Sequence, residues 1–206
     1  MKQNIKLFLL VLFFMWNLPF VYSQEQIPLK NSISLGPLIG VSSVYNNDLS
    51  YFSDNNIRFN YGVNGEYVHF FHPGVGVGCD YTYLKSRESS NNMSINIVGP
   101  AITLRYLFSP YSAVSLSMGI SYMNYNENVF YLNKYSNFDK NFVTANMTMS
   151  YSFHLGKNAS GMFKFQTITA DWFVNPEFHW QNDDGEFLFD NDMSFFTLGF
   201  SIIIGK

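Results

Sequence analysis

The chain is short of charge. Of its 206 residues only 13% are Asp, Glu, Lys or Arg, about half the ~25% usual for a soluble globular domain. A surface facing water ordinarily carries more than this. Cysteine is nearly absent too. Cys79 is the only one, so no internal disulfide forms, and a lipoprotein-type N-terminal lipid anchor has no cysteine to use. Basic blocks are lacking, and the balance past residue 23 is ten basic against fifteen acidic residues, a charge of −5. That excludes nucleic acid as a partner. Long apolar runs are missing as well. Beyond residue 23 no stretch of about 18 apolar residues exists, which excludes helical membrane spans.

What is present is aromatic. Phe, Tyr and Trp make up 19% of the chain. Residues 1–23 have the form of an export signal: Lys2 and Lys6, an apolar run from Leu7 to Trp16, and Val21-Tyr22-Ser23 as the cleavage site. The apolar run is broken by Asn17 and Pro19 and is short for a retained span. An exported chain that is poor in charge, rich in aromatics and without helical spans has one way to cross a bilayer, a closed β-barrel.

Period-two alternation supports it. After a periplasmic lead over 24–31, residues 32–206 read as one barrel domain of eight strands, roughly 12 to 15 residues each by their alternation, joined by alternating long and tight connections. From Asn56 to Lys85 two strands turn at His72-Pro73. One face carries Ile57, Phe59, Tyr61, Val63, Tyr67, Val75, Val77, Tyr81 and Tyr83, the other Arg58, Asn60, Asn64, Glu66, Asp80 and a row of glycines. The connections over 45–55, 86–92, about 123–141 and 175–191 read as long polar loops. Short turns on one rim and long loops on the other mark an outer-membrane barrel with both termini in the periplasm. The fourth strand changes phase, with Met93, Ile95 and Ile97 on one parity and Ile102, Leu104, Tyr106 and Phe108 on the other. Gly99-Pro100 at the switch predicts a β-bulge.

The rival is a soluble barrel of the lipocalin type, whose apolar face points inward. It would leave the Ser, Thr and Asn of strands five and six on a nearly chargeless surface, and crowd large aromatics into a lumen that eight strands barely leave room to fill. The membrane assignment puts small polar residues inside, where the strand charges Arg58, Glu66, Asp80, Arg105 and Lys164 gather. Counted from the tight turns, Glu66, Asp80, Arg105 and Lys164 come to similar depth as a self-neutralising structural network. Aromatics fall into two girdles, Phe71, Tyr106, Phe108, Tyr151, Phe153 and Phe163 near the turns, and Phe59, Tyr61, Tyr81, Tyr83, Tyr122 and Trp172 toward the loops.

In signal, strand count, glycine-rich hairpins and Asn/Tyr/Phe-rich loops, the chain resembles the small outer-membrane β-barrel proteins of Bacteroidota, the PorT-like group and the OmpA/OmpX-like barrels. The PorT resemblance implies assistance in secretion or assembly. Unlike many such barrels the chain ends Ile204-Gly205-Lys206, not on an aromatic residue.

Other chemistry is thin. Gly74-x-Gly76-x-Gly78 has the spacing of a dinucleotide loop, but no helix follows, and a thin inward strand face explains it. His69, His72, His154 and His179 show no nucleophile–base spacing, with His154 placed in the lumen near Lys164. The acidic stretch Asn182 to Asp192 has oxygen ligands for Ca²⁺ without EF-hand spacing and reads better as a solvated loop. The expectation is a monomeric barrel with a plugged lumen, no catalytic site, cofactor or metal, embedded in outer-membrane lipid and meeting a protein partner through its outer loops. A narrow pore and a lipid-modifying enzyme are the alternatives.

Overall fold

A computed structural model describes residues 30–44, 57–88, 91–109, 111–131, 134–156, 159–170 and 193–205. The expected signal, the 45–55 loop, Trp172, His179 and the acidic stretch fall outside these residues. The described strands are β1 (Asn31–Val44), β2 (Ile57–His72), β3 (Val75–Glu88), β4 (Asn91–Ser109), β5 (Ser112–Tyr131), β6 (Lys134–Gly156), β7 (Ala159–Ala170) and β8 (Met193–Gly205). Each pairs antiparallel with its sequence neighbour, and β1 closes on β8. The fold is an eight-stranded up-and-down transmembrane β-barrel.

The alternation resolves the question of faces. Ile33, Leu35, Ile57, Phe59, Ile120, Leu198 and Ile204 stand on the outside with more than half their surface exposed, while Ser42, Asn60, Thr82 and Ser201 are fully buried inside. The lipocalin arrangement is the reverse of this. Strand register then sets the geometry. Following it from Asn31 through His69, Val77, Ile102, Met118, Met147, Thr167 and Phe196 returns to β1 at Val41, ten residues further along. A stagger of that size tilts the strands about 40° from the barrel axis, so each residue adds ~2.5 Å of height. An apolar belt ~25 Å tall therefore needs only about ten residues of each strand.

Several strands are far longer. β5 has 20 residues and β6 has 23. Of the tracts expected to be long loops, residues 86–88 and 91–92, and 123–131 and 134–141, are continuations of paired strands: Arg87 pairs with Asn92, and the β5–β6 ladder runs on to Tyr131↔Lys134. The reason is physical. Above the lipid belt the outward face is polar, with Asn, Ser, Asp and, on β3, Lys85 and Arg87, so the alternation that marks a strand disappears while backbone pairing continues.

The predicted bulge at Gly99-Pro100 is also absent. Register between β3 and β4 is unbroken from Glu88↔Asn91 to Val75↔Leu104. Met93, Ile95 and Ile97 simply point inward and are buried. The switch lies in what fills the lumen. Toward the loop end Leu38, Leu84, Met93, Ile95, Ile97, Met123, Tyr125, Phe142, Ile168, Met193 and Phe195 form one apolar cluster. Toward the turn end polar inward side chains such as Ser34, Asn64, Asp80 and Lys164 are mixed with Val68, Phe70 and Ile203. Inward glycines make room for larger inward side chains: a Cβ on Gly76 would press on the Val68 and Phe70 side chains, and one on Gly199 would overlap Leu38.

Candidate functional site

The inward charges do not form one layer. Lys164 on β7 is the hub of the largest group. Its Nζ donates to Glu66 Oε2 at 2.7 Å, to Asn64 Oδ1 at 2.6 Å and to Ser34 Oγ at 2.9 Å. Three donors on one ammonium meet three acceptors from β1 and β2, so its hydrogen-bonding capacity is filled. Glu66 pairs directly across the ladder with Asp80 on β3, placing two carboxylates side by side. Asn64 separates them from conflict: its amide nitrogen donates to Asp80 Oδ1 while its oxygen receives Lys164. Gln166 Nε2 supplies Asp80 Oδ2 at 2.8 Å, and Thr82 Oγ1 donates to Gln166 Oε1 at 3.3 Å. Two like charges this close are tolerable inside only because a cation and two side-chain amides satisfy them. The side chains come from β1, β2, β3 and β7, so the network ties opposite walls of the barrel together across its axis.

Arg105 is not part of it. Its backbone N–H donates to Gly74 O, level with the β2–β3 turn, its Nε donates to Pro73 O at 3.0 Å, and its guanidinium carbon lies 3.5 Å from the Phe70 ring centroid. Counting residues from each tight turn places it beside Lys164, but the ten-residue stagger raises each successive strand against the last, and equal counts are not equal heights. The expected balance of two cations and two anions in one layer is therefore wrong; Lys164 alone faces Glu66 and Asp80.

Arg58 lies at the other end. It forms a buried salt bridge with Glu127 on β5, whose second oxygen accepts the Tyr125 hydroxyl at 2.6 Å. Tyr125 and Glu127 are fully buried. Both sit in the tract expected to be a loop, so this pairing went unforeseen. The signal was there: continuing the inward parity of Ser117, Gly119 and Ser121 leads to Met123, Tyr125 and Glu127.

His154 is likewise not beside Lys164. It is exposed at the turn rim, with its ring 5.6 Å from that of Tyr111. His69 Nδ1 contacts Asn31 Oδ1 at 2.8 Å, and His72 Nδ1 accepts the Gly74 N–H. Register sets Ser160 across the ladder from His154, and among the described residues no group of three His, Cys, Asp or Glu is placed to hold a metal ion. Cys79 is exposed on the outer face.

From the turn end upward the lumen thus holds Arg105 over Phe70, the Lys164–Glu66–Asp80 network, the apolar cluster, and the Arg58–Glu127–Tyr125 group. No protein-family model matches the sequence, and neither does any curated protein. Solved structures do. Neisserial surface protein A superposes with a TM-score of 0.57 at 10% identity, over 86% of this chain and 97% of its own. Ail, the attachment invasion locus protein of Yersinia pestis, gives 0.52 at 10% identity, over 86% and 100%. Both are outer-membrane β-barrels of eight strands, the fold seen here.

Proposed function

We propose that this chain is a monomeric barrel of the cell outer membrane, closed along its axis, that works by holding another macromolecule at its loop end. The observation that carries this reading is the length of the β5–β6 hairpin. Its strands continue about ten residues past the Tyr122 level, which at ~2.5 Å per residue lifts the tip ~25 Å above the lipid belt. Its outer face is an amide ladder, with Asn124 donating to Asn141 Oδ1 at 2.9 Å and to Asp139 Oδ1 at 3.1 Å. A barrel that only seals a membrane has no use for such a platform.

A closed lumen supports the same role. Phe195, Leu84, Ile95, Met123 and Ile168 are fully buried, and the interior of an eight-stranded barrel is just wide enough for such side chains to fill. A narrow pore would need that cluster to part. A lipid-modifying enzyme would need a nucleophile and base held together in a shielded site, whereas His69 and His72 contact Asn31 and Gly74, and His154 is exposed at the rim beside Tyr111. Surface adhesion and assistance in secretion or assembly are two versions of the interaction role; the shared fold with an attachment protein, Ail, favours adhesion. Outer-membrane lipid is the other partner, along the belt. The chemistry calls for no cofactor and no nucleic acid.

The test is capture from detergent-solubilised membranes with the full chain and with a variant whose hairpin is shortened by removing residues 128–137. The full chain is expected to retain a specific partner that the shortened one loses while still running as a folded barrel. Equal capture by both would remove the hairpin from the function.

A further inference from the structure

The cations inside the barrel are engaged, but Lys85 and Arg87 are not inside it. Leu84 before them and Ser86 between them are buried, so Lys85 and Arg87 share the outward parity of Val77, Cys79, Tyr81 and Tyr83. We propose that they form a docking site for the phosphate of an anionic lipid in the loop-side leaflet. This rests on the membrane orientation proposed above.

Height is the first reason. Tyr83 on β3 belongs to the loop-side aromatic girdle, with Tyr61 and Tyr81 on the same wall. Lys85 and Arg87 follow two and four residues later, ~5 and ~10 Å above Tyr83, where acyl chains give way to headgroups. The neighbours are the second reason. Register sets Lys85 between Tyr61 on β2 and Ser94 on β4, and Arg87 beside Asn92. Two cations about 7 Å apart on one strand face, flanked by hydroxyl and amide groups that donate hydrogen bonds, are complementary to a phosphate oxyanion. The third reason is that nothing else claims them. Among the described residues neither cation is in an ion pair or a side-chain hydrogen bond, and Asp139, the outward acid on β6, is three strands away around the wall. A free phosphate would gain only the cations. A lipid phosphate also lays its acyl chains along Tyr61 beside Lys85 and along Val63, Tyr83 and Tyr81 below it, and so is held twice. Lys164, Arg58 and Arg105 offer no such site, because each is turned inward.

Native mass spectrometry of the full chain released from detergent tests this. The probes are phosphatidic acid, phosphatidylcholine of the same acyl length, and inorganic phosphate. The wild-type chain is expected to retain phosphatidic acid at least ~10-fold over phosphatidylcholine and to hold inorganic phosphate no better than phosphatidylcholine. The Lys85→Gln/Arg87→Gln chain should lose that preference, and Lys30→Gln, an exposed cation at the opposite rim, should keep it. Preference that survives the double substitution, falls equally with Lys30→Gln, or appears equally for inorganic phosphate overturns the proposal. Heat-dependent gel mobility, read on the same samples, reports the barrel separately: a retained shift with no lipid preference sinks the docking site and leaves the membrane reading standing.

Discussion

At the scale of single residues, Lys164 is the most constrained group in the barrel. Its ammonium is buried and answers Glu66, Asn64 and Ser34 at once. Removing one partner of a buried ion pair strands the other, at a cost of roughly 3–5 kcal/mol. Lys164→Met is expected to lower unfolding stability in lipid by about that amount, as measured by denaturant titration. Adding Glu66→Gln should recover most of the loss, because the stranded charge is then gone. A single substitution without measurable effect would mean that the pair is hydrated. Residue identities at this scale were legible in the sequence, since alternation alone turned Glu66, Asp80 and Lys164 inward. Their grouping was not. Which of them meet depends on the stagger between strands, and that is a property of closure that no single strand carries.

At the scale of elements, each strand has a segment that faces lipid and a segment that does not. Leu198 stands outward in the middle of the belt on β8, and Asn126 stands outward on β5 above it. Arginine in the middle of the bilayer costs roughly 2–4 kcal/mol in a transmembrane barrel and roughly 0–1 near the interface. Leu198→Arg should therefore destabilise by ~2–4 kcal/mol and Asn126→Arg by less than ~1, on the same denaturant titration. Equal small effects would place neither residue in lipid. On the inside, Phe195→Ala opens the apolar cluster and is expected to cost ~3–5 kcal/mol. Strand existence and order could be read from the amino acids, and facing too, except in the loop-side half of β4. Strand ends could not, because the period-two signal comes from the lipid contact. Where β3, β4, β5 and β6 rise clear of the belt, their Asn- and Ser-rich faces look like loop. The phase change of β4 misled for the same reason: inward Met93, Ile95 and Ile97 mimic a lipid-facing run, and only the unbroken ladder with β3 shows that the strand keeps its parity while the lumen changes character.

At the scale of the whole molecule, a stack of four inward groups divides the barrel axis, and an extended hairpin crowns one rim. The similarity to Neisserial surface protein A and Ail establishes the fold. The central claim is that the axis is closed. Planar-bilayer recording of the refolded full chain tests it most directly. A closed barrel is expected to give no steady conductance above the bare membrane, with Phe195→Ala and Lys164→Met giving at most brief, flickering openings. Stable, long-lived current steps from the wild-type chain would contradict a closed lumen and make the protein a channel.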